Sequence, residues 1–138
     1  MLKIILKTKI VGVALAVGLV AVAPQPTQAN DLQRLAENLC EYAKTDNRSS
    51  MRKKLKSASM KLKAIYPGLI CGSGGSLMRV AVANDAMNAA KYIASKAGKK
   101  SLKIVEKDGK SVLEFTESLV AGGDAGKQPF VDLIKEKL

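Results

Sequence analysis

Apolar residues recur along this chain at helical spacing, and the pattern divides it into segments. After Asn30, read as an N-cap, Leu32, Leu35, Ala36, Leu39, Cys40 and Ala43 form one helical stripe with Cys40 turned to the core. Thr45-Asp46-Asn47 breaks it. A second helix is predicted from Ser49 or Ser50, with Met51, Leu55, Ala58, Leu62 and Ile65 on its inner side. Tyr66-Pro67-Gly68 stops that helix, because Pro biases the residue before it out of the helical region and Gly supplies a turn. Ser76 caps a short helix from Leu77 to about Ala83, and Asp85 caps another from Ala86 to about Lys96. The latter turns Met87, Ala90, Ile93, Ala94 and Ala97 inward and ends on Gly98. Small residues (Ala81, Ala83, Ala86, Ala89, Ala90) let the two pack closely as an αα-hairpin.

The tail supports two readings. Leu102 to Lys107 and Lys110 to Phe115 flank Asp108-Gly109, a strong two-residue hairpin signal. The turn would pair Val105 with Val112, Ile104 with Leu113, Lys103 with Glu114 and Leu102 with Phe115. Against it, Ser111-x-x-Glu114 is a capping box, and Val112, Phe115, Thr116, Leu119 and Val120 have helical spacing. The hairpin is the favoured expectation. Beyond the Gly122–Gly126 joint, Pro129 opens a terminal helix with Phe130, Leu133, Ile134 and Leu138 apolar.

The N-terminal end has a different pattern. Lys3, Lys7 and Lys9 precede an unbroken apolar run of 14 residues, Ile10 to Ala23, and Pro24 and Pro26 end it. This reads as a signal peptide over 1–29, cleaved after Ala29. The run is short of the roughly 20 residues a membrane-spanning helix needs, which disfavours the alternative of a permanent anchor. Export makes a periplasmic or secreted location the expectation, and makes a disulfide the default for Cys40 and Cys71, the only two cysteines. Such a bridge closes a loop of about 30 residues, worth roughly 3–4 kcal/mol in the chain-entropy account.

Charge then narrows the function classes. The 138 residues hold 23 Lys and Arg against 12 Asp and Glu, with no His and no Trp. Lacking His, the chain lacks the commonest general base and zinc ligand, and two cysteines cannot build a four-ligand metal knuckle. The basic excess lies in 44–100, where 13 Lys and Arg meet only Asp46 and Asp85. Arg48, Arg52, Lys53, Lys54, Lys56, Lys61 and Lys63 cluster on or beside the second predicted helix. A helix face this basic attracts polyanions with salt-dependent affinity, although a solvated surface gives the same pattern. Aromatic residues suited to base stacking are absent there apart from Tyr66, so an anionic envelope polymer or membrane surface fits better than nucleic acid. Gly72-Ser73-Gly74-Gly75 before a helix start, with Arg79 one turn in, could cradle an anion. It lacks the other parts of a nucleotide fingerprint, and the plainer reading is a loop that lets Cys71 reach Cys40. Ser50-x-x-Lys53 matches a penicillin-enzyme motif without its companions, and Glu106, Asp108, Glu114 and Glu117 read more simply as exposed charge than as a catalytic pair.

With these residues in view, the stretch from Leu39 to Gly98 resembles domain-of-unknown-function family 3718, small exported proteins of gamma-proteobacteria. The matching features are the Cys40 and Cys71 pair, the Arg52 to Lys56 run RKKLK, and the AxAND turn at 81 to 85. The resemblance implies a periplasmic or secreted location and supports the disulfide; it brings no catalytic residues and no cofactor. Within it, 76–98 is similar in local geometry to a single ankyrin unit, without that motif's Pro and His.

The expected protein is mainly α. Residues 30–100 form a basic, disulfide-stapled domain of about four helices, and 101–138 add a β-hairpin and a terminal helix. The expected role is a non-enzymatic envelope or secreted binding module whose cationic helix contacts polyanions, without metal or cofactor. The alternatives are a periplasmic module that binds a protein partner through apolar surface, and a membrane-active cationic protein.

Overall fold

The computed structural model describes residues 28–138. The predicted signal peptide, but for Gln28 and Ala29, lies outside the described residues. Within them the chain forms eight α-helices linked by turns, three of which are single 3-10 turns.

Helix α1 (Gln28–Lys44) buries Leu35, Leu39 and Ala43, while Leu32 remains 43% exposed. The second predicted helix is two. Helix α2 runs Arg48–Ser57, and α3 is a single turn, Leu62–Ile65. Asn47 caps α2 by accepting a hydrogen bond from the Ser50 amide. The break between them is a Schellman stop: Ser59 adopts φ 52°, its amide donates to Lys56 O, and the Met60 amide donates to Leu55 O. Ala58, expected on the inner side, is consequently exposed. The same stop ends α4 (Leu77–Ala83), with Asp85 at φ 55° and the Ala86 amide donating to Ala81 O. Asp85 therefore terminates α4, and Ala86 takes the N-cap position of α5 (Met87–Ala97).

Helix α4 is the centre of the molecule. Leu77 through Val82 are all buried, as expected for a helix surrounded by others on every side. It packs on α1, on α5 and on α7 (Val112–Ala121). The short helix α6 (Lys99–Leu102) and α8 (Gln128–Lys137) complete the set. One apolar cluster runs through all of this, from Leu39 and Met51 to Leu102, Val112, Phe130 and Ile134. Cys40 of α1 and Cys71, in the turn before α4, are joined by a disulfide with their Cα atoms 5.7 Å apart.

The expected C-terminal β-hairpin is not formed. Mainly α holds, but no strand is present among the described residues, only an isolated antiparallel bridge between Ile70 and Ser76. The Asp108-Gly109 turn does close, with Gly109 at φ 78°, the Gly109 amide donating to Glu106 O and the Glu106 amide to Lys110 O. Pairing goes no further. Leu102 ends α6, and the Ser111–Glu114 capping box is complete, committing Val112 onward to helix. A lone two-stranded ribbon is marginal in water, whereas α7 buries Val112 and Thr116 against the rest of the protein. Of the residues assigned to the hairpin, Leu102 and Val112 are buried and Val105 stands 61% exposed.

Candidate functional site

The candidate cations are held outward by the same packing that buries Met51, Leu55 and Leu62. Arg48, Arg52, Lys53 and Lys56 project from α2, with Lys54 half-buried beside them. Lys61 and Lys63 stand on the separate turn of α3, so the face predicted as one helix spans two elements and the bend at Ser59. The structure extends this face onto α5. Arg48 lies over the Tyr92 ring, 6.0 Å from its centroid. Burial pushes the Tyr92 phenol up, and the positive charges of Arg52 and Arg48 pull it back. The stem of Lys63 crosses Gly98, 3.5 Å from where a β-carbon would stand, and α6 with the exposed Lys99 and Lys100 begins one residue later.

None of these cations forms an ion pair among the described residues. The two acids of 44–100 are engaged elsewhere. Asp46 accepts hydrogen bonds from the Ala89 amide and the Asn88 side chain, serving the start of α5. Asp85 binds Lys127, a lysine only 4% exposed, whose Nζ also donates to Val82 O.

Arg79 differs from the other candidates. It is 7% exposed and meets two acids of the tail. Nη1 and Nη2 donate to Asp108 at 2.7 and 2.8 Å, and Nη2 also donates to Lys110 O at 2.7 Å. Nε lies 2.6 Å from Glu106 Oε2 but off the N–H axis, so that contact is an ion pair without a hydrogen bond. The guanidinium also lies over Phe115, 4.4 Å from the ring centroid. Hydrogen bonding to Asp108 raises the Arg79 pKa further and holds the Asp108 carboxyl down at about 2.

The glycine run beside it does precede an anion, and that anion is internal. Glu106 accepts from the Ser76 amide at 2.8 Å and from the Ser76 hydroxyl at 3.0 Å, at the start of α4. Gly75, at φ 81°, leaves room for it, since a β-carbon there would stand 2.9 Å from Glu106 Oε1. Tyr66 is buried close by, and burial pushes its phenol to about 12 while the Ser76 hydroxyl beside it opposes the rise. The arrangement ties α4 to the tail and uses the polar groups it gathers.

Among the described residues, no group of three or more His, Cys, Asp or Glu is placed to hold a metal ion. No helix among them is long and apolar enough to cross a membrane. Three features escaped the sequence reading: the approach of Tyr92 to Arg48, the junction of Lys63 with Gly98, and the capture of Arg79 by Glu106 and Asp108. Each joins residues tens of positions apart, and no local spacing signals them.

No curated protein and no solved structure matches the chain. A family model described as a protein of unknown function (DUF3718) matches residues 39–104, from α1 through α6, so that Arg79 lies inside the matched stretch and its partners Glu106 and Asp108 lie beyond it. The matched stretch, which carries both cysteines and the basic face, is a DUF3718 domain.

Proposed function

We propose that this protein is an exported, non-enzymatic binding module and that the cations of α2 and α3 contact polyanions of the cell envelope. One observation carries the reading. Four carboxylates (Glu106, Asp108, Asp85 and Asp124) lie within ion-pair distance of the two buried cations, Arg79 and Lys127. Meanwhile Arg48, Arg52, Lys53, Lys54, Lys56, Lys61 and Lys63 have no acidic partner among the described residues. A surface charged with one sign over two adjacent helices keeps a field that a mixed surface would cancel, and it concentrates polyanions near it. Arg79 has no part in this face, being buried and paired with Glu106 and Asp108 of its own chain.

The test is binding of the oxidised protein to lipopolysaccharide, heparin and DNA across a salt series. The comparison is a variant with Lys53, Lys54, Lys56, Lys61 and Lys63 changed to Gln. Affinity falling steeply with salt, and weakened in the variant, supports the reading, because each phosphate or sulfate contact releases counterions. The order of the three ligands then names the polymer class. Equal and weak binding by both proteins makes the charge a solvated surface and removes the proposal.

A further inference from the structure

Two stretches of the chain, 47–84 and 86–105, contain no Asp or Glu, and α2, α3, α5 and α6 all lie within them. Packing joins these four helices at two points along one seam. At the first, Arg48 of α2 lies over the Tyr92 ring of α5, and the charge of Arg52 acts on the same phenol. At the second, the stem of Lys63 of α3 crosses Gly98 at the end of α5. Lys96 stands between the two points, one helical turn on from Tyr92, and Lys99 opens α6 just past Gly98. Tyr92, Lys96 and Gly98 follow one another at about 6 and about 3 Å of helix rise, so the cations form a row. Arg48, Arg52, Lys63, Lys96 and Lys99 are all exposed, and none forms an ion pair among the described residues. Asp46 is the acid at the first point, and its carboxylate accepts from the Ala89 amide and the Asn88 side chain.

A row differs from a pocket in what it can hold. A compact anion touches one or two of its cations, while a chain with a charge every few ångströms meets them all, and each contact releases counterions. Beyond about 8–10 Å separate cations are screened from one another at ordinary ionic strength, so only a ligand that spans them sums their attraction. The surroundings of the row argue against two other partners. The exposed large apolar side chains of the described residues, Leu32, Met60, Ile70, Ile104 and Val105, all lie outside α2, α3, α5 and α6, so these helices offer nothing to enter a hydrocarbon layer. Tyr92, the aromatic ring of the row, is 7% exposed beneath Arg48, so no nucleic-acid base can stack on it. We propose that this seam is a track for an extended linear polyanion, read through the charges of its backbone and not through its side groups, running from Arg48 and Arg52 past Lys96 to Lys63 and Lys99. The proposal rests on the polyanion reading of the α2–α3 face, adds α5 and α6 to it, and makes ligand length the property selected.

Inorganic polyphosphate carries backbone charge without side groups and is the probe. The oxidised protein, as recovered from the producing cell, is titrated across a salt series with pyrophosphate and with chains of about 20 phosphates. At equal phosphate concentration the long chain binds at least about 100-fold tighter, because it alone spans the row. Lys96→Gln with Lys99→Gln weakens the long chain about ten-fold and lowers its salt slope by about one to two, and Arg48→Gln with Arg52→Gln does the same. Lys107→Gln with Lys110→Gln removes equal charge from the tail and leaves affinity within about two-fold. All six side chains are exposed, so melting temperatures stay near that of the wild type. Pyrophosphate binding as tightly as the chain, absence of polyphosphate binding, or phosphatidylglycerol vesicles bound as tightly as polyphosphate each overturns the track. The two readings fail differently. If the five-Lys variant of α2 and α3 weakens binding while the Lys96 and Lys99 variant matches the Lys107 and Lys110 control, the α2–α3 face stands and the track falls. If no variant weakens binding of polyphosphate or heparin, both fall.

Discussion

Arg79 grips Asp108 through two parallel hydrogen bonds, Nη1 to Oδ2 at 2.7 Å and Nη2 to Oδ1 at 2.8 Å, across 29 positions of sequence. The same guanidinium faces Glu106 and Phe115, so one side chain of the central helix holds the turn between α6 and α7. Planar, two-pronged recognition of a carboxylate suits Arg and not Lys. Removing the Arg leaves Glu106, a largely buried carboxylate, with no charge partner. Arg79→Ala is expected to cost about 3–5 kcal/mol of unfolding free energy in urea, and Arg79→Lys to recover only part of it. A loss below about 1 kcal/mol would show that the cluster does not hold the tail.

The pH dependence follows from the same pair. The hydrogen bond from Arg79, aided by the Lys110 amide, holds the Asp108 carboxyl at about 2, below its ordinary 3.8. A depressed folded-state value means a stabilising contribution that is present above 3.8 and lost as pH falls through 2. Melting temperatures of wild type and Asp108→Asn should therefore differ at neutral pH and converge between pH 4 and 2. Glu114 is lowered as well, chiefly by the Ser111 amide, so its loss falls in the same acid limb. A gap between the two proteins that persists unchanged at pH 2 contradicts the assignment to Asp108.

The disulfide closes 31 positions between α1 and the turn that leads into α4. Opening that loop returns its entropy to the unfolded chain. Cys40→Ser with Cys71→Ser should lower stability by about 3 kcal/mol, and treatment with reductant should match the double variant. Urea denaturation with and without reductant measures it.

Ser111 caps the helix at 112–121. Its hydroxyl accepts from the Glu114 amide while the Glu114 carboxylate accepts from the Ser111 amide. Ser111→Ala should cost about 1 kcal/mol. Because the hairpin has no sheet to join, far-UV circular dichroism should stay helical at temperatures below the transition. A rise in β signal would show that the cap alone excludes the hairpin.

Ser59 holds a left-handed conformation, φ 52°, that Gly adopts without a β-carbon penalty. Ser59→Gly should stabilise the protein by a few tenths to about 1 kcal/mol by thermal melting. Destabilisation instead would indicate that α2 and α3 are continuous in solution.

The local pattern of the chain determined much of this molecule. The 3.6-residue periodicity places α1, α4, α5 and α8 and picks Leu39, Met51 and Ile93 for the core, because neighbours at three and four positions share a helix face whatever surrounds them. Two cysteines allow only one pairing, and the basic excess of 44–100 is a count. Packing decided the rest. Asp108-Gly109 does turn the chain, but strands need a partner sheet, and the core instead takes Val112 and Thr116 on a helix. The stop at Ser59 uses a residue with no strong turn signature, where a glycine would have announced it. Above all, a lysine or arginine looks the same in sequence whether it is buried or free. Only the fold, by bringing Glu106 and Asp108 to Arg79 and Asp85 to Lys127, selects which cations are neutralised and which face outward.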